Sequence, residues 1–125
     1  MTALRLLLLA FVFVVWGCGK STADLTAQLQ AESASARVQA IHALQERLED
    51  GPTVVPALVA VLQDADTYVR RDAARALGQF GASAAPTAVP PLIAALRDKE
   101  PSVRKAAAAA LKKIDPAAAA QAGVP

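Results

Sequence analysis

The sequence holds one cysteine and one histidine, and aromatic residues make up 4% of it. A single thiol closes no intrachain disulfide, even in an oxidising compartment. Cys18 and His42 cannot assemble a zinc ligand set between them, and no His-Glu pair stands ready to hold another metal. There is no G-x-G-x-x-G stretch and no phosphate-binding loop. The serines, at 21, 33, 35, 83 and 102, fall in expected turns or caps away from His42. Beyond Cys18 the only aromatics are Tyr68 and Phe80, and the whole chain carries a formal charge of only +2. With no stacking platform and little net charge, nucleic acid is a poor fit as a partner. The N-terminal apolar run, Leu6 to Trp16, has eleven residues, short of the ~20 that a spanning helix needs. These absences point away from an enzyme, with no catalytic residue, no cofactor and no metal expected.

What is present is a repeat. A shift of 34 residues carries Pro52 onto Pro86, Leu58 onto Leu92, Leu62 onto Leu96 and Asp64 onto Asp98. It also carries Val69-Arg70 onto Val103-Arg104, Ala73 onto Ala107, and Ala76-Leu77 onto Ala110-Leu111. A shift of 33 brings Leu25, Leu29, Arg37, Ala40 and Leu44 onto Leu58, Leu62, Arg70, Ala73 and Leu77. Self-similarity at such a period marks a solenoid. Within each unit, Leu58, Val61 and Leu62 give one apolar helical face, and Val69, Ala73, Ala76, Leu77 and Phe80 give a second. One helix pair cannot bury both stripes, so pairs stack. The expected fold is all-α: a short right-handed solenoid of three antiparallel helix pairs, near 22–48, 52–80 and 86–114. Leu58, Leu62, Ala73, Leu77, Leu92, Leu96, Ala107 and Leu111 should be buried.

Local signals fix the boundaries. Ser21-Thr22-Ala23-Asp24 reads as a capping box. Ser33 and Asp66 are good N-caps, whereas Glu100 is a poor one followed by Pro101 at the first helical position. Pro56 and Pro90 fall inside first helices, where each removes a hydrogen bond and should bend the helix. Glycines and prolines place inter-repeat connections at 51–55 and 78–89. The repeat domain then covers 22–115, in units 22–50, 51–83 and 84–115, and the alanine-rich residues 116–125 read as a disordered tail.

The stretches P-x-L-x-x-x-L-x-D at 56–64, P-L-I-A-A-L-x-D at 91–98, and V-R-x-x-A-A-x-A-L at 69–77 and 103–111 resemble the HEAT-like repeats of phycobilisome lyase-type and bacterial scaffold proteins. The resemblance covers residues 22–115. The first repeat departs from it, with Ala31 in place of the aspartate and Ala36 in place of the valine. It implies a structural ladder of Asp64, Asp98, Arg70 and Arg104, with Arg37 as a further rung, and a binding rather than a catalytic role.

Residues 1–17, with Arg5 ahead of the apolar run, fit an export signal. Val15-Trp16-Gly17-Cys18 resembles the bacterial lipobox, which implies a lipidated Cys18 followed by a tether over 18–21. A diacylglycerol plus an acyl chain anchors stably where one chain would not. Cleavage after Gly17 without lipidation, or an uncleaved anchor, are the alternatives. By resemblance to enteric sorting rules, Gly19 after the cysteine points to the outer membrane, facing the periplasm.

Charge is unevenly spread. Residues 24–50 have two basic and five acidic groups, residues 51–83 three of each, and residues 84–125 six basic and three acidic. In the resembling solenoids the second helices line the concave face, so Arg71, Arg75, Lys105, Lys112 and Lys113 would form a basic column there; Tyr68, beside a turn, is a separate candidate contact residue. The column is a candidate site for an acidic partner protein; the alternative is a solvated face. Self-assembly, acidic first repeat against basic last repeat, and a lyase-like or chaperone-like helper role complete the expectations. His42, which aligns with Arg75, reads as a solvated surface residue.

Overall fold

Helix starts in the computed structural model, which describes residues 19–125, follow local chemistry. The Ser21 hydroxyl accepts from the Asp24 amide at 3.1 Å while the Asp24 carboxylate accepts from the Ser21 amide at 3.0 Å. This reciprocal box opens α1, Thr22–Gln28. Ser33 accepts from the Ala36 amide and opens α2, Ala34–Leu44. Asp66 accepts from the amides of Tyr68 (2.8 Å) and Val69 (3.1 Å) and opens α4, Thr67–Gln79. Helices α3 (Gly51–Ala60), α5 (Ala85–Ala95) and α6 (Pro101–Ile114) start on proline instead, and Glu100 makes no side-chain cap. Proline's missing N–H is one that the first turn leaves unpaired in any case. A last helix, α7, covers Pro116–Gln121, and no strand occurs among the described residues. The expected export signal, residues 1–17, and Cys18 lie outside the described residues. Within them, no helix is long and apolar enough to cross a membrane.

The helices form two layers. The second helices α2, α4 and α6 pack side by side, the first helices α1, α3 and α5 pack along them, and the densest seam joins α4 to α6. Ile41, Leu44, Leu58, Leu77, Leu92 and Leu111 are fully buried in one continuous core. Small residues set the close approach at the seam. A side chain at Gly78 would meet the Ala110 Cα at 3.2 Å. Ala73, Ala74, Ala76, Ala107 and Ala110 are buried around it. The result is a short α-solenoid of three helix pairs.

Three expectations are corrected. The connections are not 51–55 and 78–89: Gly51 already lies in α3, Gly78 lies within α4, and α5 begins at Ala85. Pro52 and Pro86 lie in the first turns of their helices, as expected, and α4 ends at Gln79, two residues before Gly81, whose φ of 61° favours glycine. Both α3 and α5 run on through their interior prolines, Pro56, Pro90 and Pro91. Leu96 is half-buried, unlike its equivalents Leu29 and Leu62, because among the described residues no further first helix covers α5. Finally, residues 116–125 are not a disordered tail. Asp115 caps α7 by accepting from the Ala118 amide at 3.0 Å, and Ala119 is buried. The Val124 amide donates to the Ala119 carbonyl and the Gly123 amide to Ala120, closing α7 in a Schellman turn with Gly123 at φ 81°.

Candidate protein-binding surface

Each second helix carries an arginine one turn in from its cap. Nη1 of Arg37 donates to the carbonyls of Ala31 and Glu32, and Nη1 of Arg70 to those of Asp64 and Ala65. The rest of each guanidinium reaches the next pair. Arg70 grips Asp98 bidentately, with Nε 2.9 Å from Oδ2 and Nη2 3.2 Å from Oδ1. Arg37 donates from Nη2 to Asp64 Oδ1 at 3.0 Å. Its Nε lies 2.9 Å from Oδ2 as an ion pair, off the hydrogen-bond line. Asp64 and Asp98 each also accept from the amide two residues on, at Asp66 and Glu100. The Arg70 bond holds the Asp98 carboxyl below the usual carboxylate range, against the opposing effect of burial. Arg37, Arg70, Asp64 and Asp98 thus tie pair to pair.

A second buried charge sits between α2 and α4. Asp72 is 6% exposed, yet both its oxygens are occupied. Oδ1 accepts from Arg71 Nε at 2.7 Å, and Oδ2 lies 3.0 Å from His42 Nε2. Burial pushes its pKa up, but the bonds from Arg71 and His42 outweigh that and hold it below the ordinary value. An ionised Asp72 can only accept, so His42 Nε2 carries the proton. The Arg71 guanidinium also lies over the Tyr68 ring, 5.0 Å from its centroid.

The expected basic column is therefore divided. Arg71, Arg75 and Lys105 line one groove of about 340 Å³ between α4 and α6, together with Ser102, Ala106 and Ala109. Arg71 is committed to Asp72. Arg75 and Lys105 are exposed and have no ion-pair partner among the described residues. Arg75 also borders a second, polar cleft with His42, Gln45, Asp72 and Gln79. Lys112 and Lys113 are exposed in the last turn of α6, outside the groove. There they complement the partial negative charge of the helix end, and the Lys113 stem lies over Gly78. Tyr68 is 62% exposed and orients Arg71 rather than standing alone.

Two participants escaped the sequence reading. His42 is exposed, as expected, but it is bonded rather than merely solvated. Asp72 aligns with Ala106, which is itself buried. A charge at a repeat position that holds Gln39 in the first repeat and Ala106 in the third was the available signal. No group of three or more His, Cys, Asp and Glu side chains able to hold a metal occurs among the described residues.

The sequence profile of HEAT repeats matches residues 22–87 and, in a second register, residues 55–122. None of the curated proteins matches significantly. Among 18 chains of solved structures that do match is one from the complex of CpcE and CpcF of phycocyanin lyase from Nostoc sp. PCC7120. Its TM-score is 0.72, with 33% identity over 85% of this chain and 41% of that one. The chain thus spans about two fifths of the length of that relative.

Proposed function

Because the chain belongs to the HEAT-repeat family, we propose that it is a non-catalytic binding module that takes an acidic segment of another protein in the groove between α4 and α6. The observation that carries this reading is the pair Arg75 and Lys105. Both stand at an alanine-floored groove and have no carboxylate partner among the described residues. Basic groups on a preset helical face raise the encounter rate with an acidic partner. The test is anisotropy with a short labelled glutamate-rich peptide. R75S/K105S should weaken binding about tenfold, as expected for two exposed charge contacts near 0.7 kcal/mol each. The remaining binding should fall as salt shortens the Debye length from ~10 Å at 0.1 M to ~3 Å at 1 M. Equal binding by the double variant at low salt overturns the reading. Arg71 stays in place, because removing it would strip a partner from buried Asp72.

The module is membrane-anchored in this reading, through a lipidated Cys18. The Lys20 carbonyl accepts from Arg47 Nη2 at 2.6 Å, so the chain leaves the domain at Gly19. A lipid on Cys18 would then hold the first repeat against the headgroups. Cys18→Ala should leave an unprocessed precursor; a processed, membrane-bound mutant protein would count against the anchor.

The structural match favours a second reading, a helper or part of a phycocyanin lyase. Co-elution with a phycocyanin subunit that R75S/K105S leaves unchanged would favour it over the acidic-segment reading.

A further inference from the structure

The third ladder arginine is held like the other two but grips nothing beyond its own turn. Arg104 Nη1 donates to the carbonyls of Asp98 (2.8 Å) and Lys99 (3.1 Å). Arg37 and Arg70 make the same two bonds to their own turns. Those bonds point the rest of the guanidinium where Arg37 finds Asp64 and Arg70 finds Asp98. At Arg104 that edge has no acceptor among the described residues, and the side chain is exposed. The side chains of Arg37 and Arg70 are only 15% and 7% exposed.

The apolar half of the same seat is also open. Leu29 and Leu62 are 2% and 5% exposed, whereas Leu96 is half-buried and Ile93 is 37% exposed. The chain shows twice how such a seat is filled. Ala60, Val61 and Asp64 border one cleft with Leu29 and Arg37. Ala94, Ala95 and Asp98 border another with Val59, Leu62 and Arg70. In both, a small residue on the incoming helix is followed four positions later by the aspartate that the arginine grips. Helix α7 does not reach this seat. Its six residues cover ~9 Å from the C-terminal end of α6, at 1.5 Å per residue. Arg104 lies near the other end of that 14-residue helix.

We propose that Ile93, Leu96 and Arg104 form a docking end for the first helix of a helical repeat carried by a partner protein, one that ends in Ala-x-x-x-Asp. The occupant is not a second copy of this chain stacked head to tail, because its leading repeat has Ala31 where the aspartate belongs. A preset guanidinium with two donors free for a carboxylate favours aspartate over its neutral amide.

The probe is a synthetic peptide with the sequence of residues 85–98, the segment that the chain itself lays against Arg70. In titrations of the isotope-labelled protein followed by NMR, the Arg104 Nε–H signal and the amides of Ile93 to Leu96 should shift together. A peptide with asparagine in place of Asp98 should need about tenfold more for half-saturation. R104Q should bind both peptides alike, and R104K, which keeps the charge without the fork, should recover only part of the difference. An unchanged amide spectrum away from the site shows that the variants are folded. Equal binding of both peptides to the unmodified protein, or shifts that spare Arg104, overturn the proposal. A concentration-dependent dimer in sedimentation that R104Q abolishes would make a second copy the occupant and overturn the proposal.

Discussion

Two carboxylates, buried Asp72 and half-buried Asp98, show how single residues respond to their surroundings. Asp98 and Asp72 are both held below the ordinary range, Asp98 chiefly by its Arg70 bond and Asp72 by bonds that overcome burial. A carboxyl whose folded pKa lies below its unfolded one lends stability that is full above the unfolded value, near ~3.9. That stability is lost as pH falls through the folded value. Thermal melts should therefore be flat above about pH 5 and drop below about pH 4. D98N keeps the amide acceptor for Glu100 but removes the charge beside Arg70. It should cost about 2 kcal/mol in urea unfolding at pH 7 and flatten the acid limb. R71S should destabilise by about 1–3 kcal/mol, because buried Asp72 loses a donor. Exposed R75S should stay within about 0.5 kcal/mol of the parent.

Among the elements, the seam between α4 and α6 and the short α7 carry the sharpest expectations. Gly78 permits the approach to Ala110. Alanine there would gain about 1 kcal/mol of helix propensity but would press on backbone at 3.2 Å. Valine would add branches where the gap is already filled, so G78V should lose about 2–3 kcal/mol by chemical denaturation. Helix α7 depends on its cap and on docking, since an isolated helix of six residues does not hold in water. D115A should cost about 1 kcal/mol, read as faster amide exchange from Ala118 to Val124 with the rest of the array unchanged. Loss of protection throughout the array would instead make α7 integral to the core.

As a whole molecule, the array is a chain of neighbour contacts, with α4 in the middle. Leu77 is fully buried there, and its truncation to alanine should cost about 3 kcal/mol. Against a typical total of 5–15 kcal/mol, L77A should lower the urea midpoint of all three pairs together. Separate transitions for the pairs would show that the solenoid does not unfold as one unit. The charge runs from acidic in residues 24–50 to basic in residues 84–125. The two surfaces proposed for partners, the α4–α6 groove and the end at Arg104, both lie toward the basic end.

The repeat period, the caps at Ser21, Ser33 and Asp66, the proline starts and the small-residue stripe were all readable in the chain. Each depends on residues within a turn or two, or on self-similarity at 33 or 34 residues. Folding alone decided three other things. Asp72 takes up Arg71 and His42, an encounter across 30 residues of sequence for His42, so it depends on which faces of α2 and α4 meet. The alanine run after Asp115 reads as a tail because its intrinsic helicity is too weak alone; contact with α6 makes it a helix. Arg104 aligns with Arg70 in sequence, but only the stacking shows that, among the described residues, no carboxylate meets it. Local propensity fixes where helices start and stop, whereas pairing of charges depends on side chains that the chain places far apart and the solenoid brings within 3 Å.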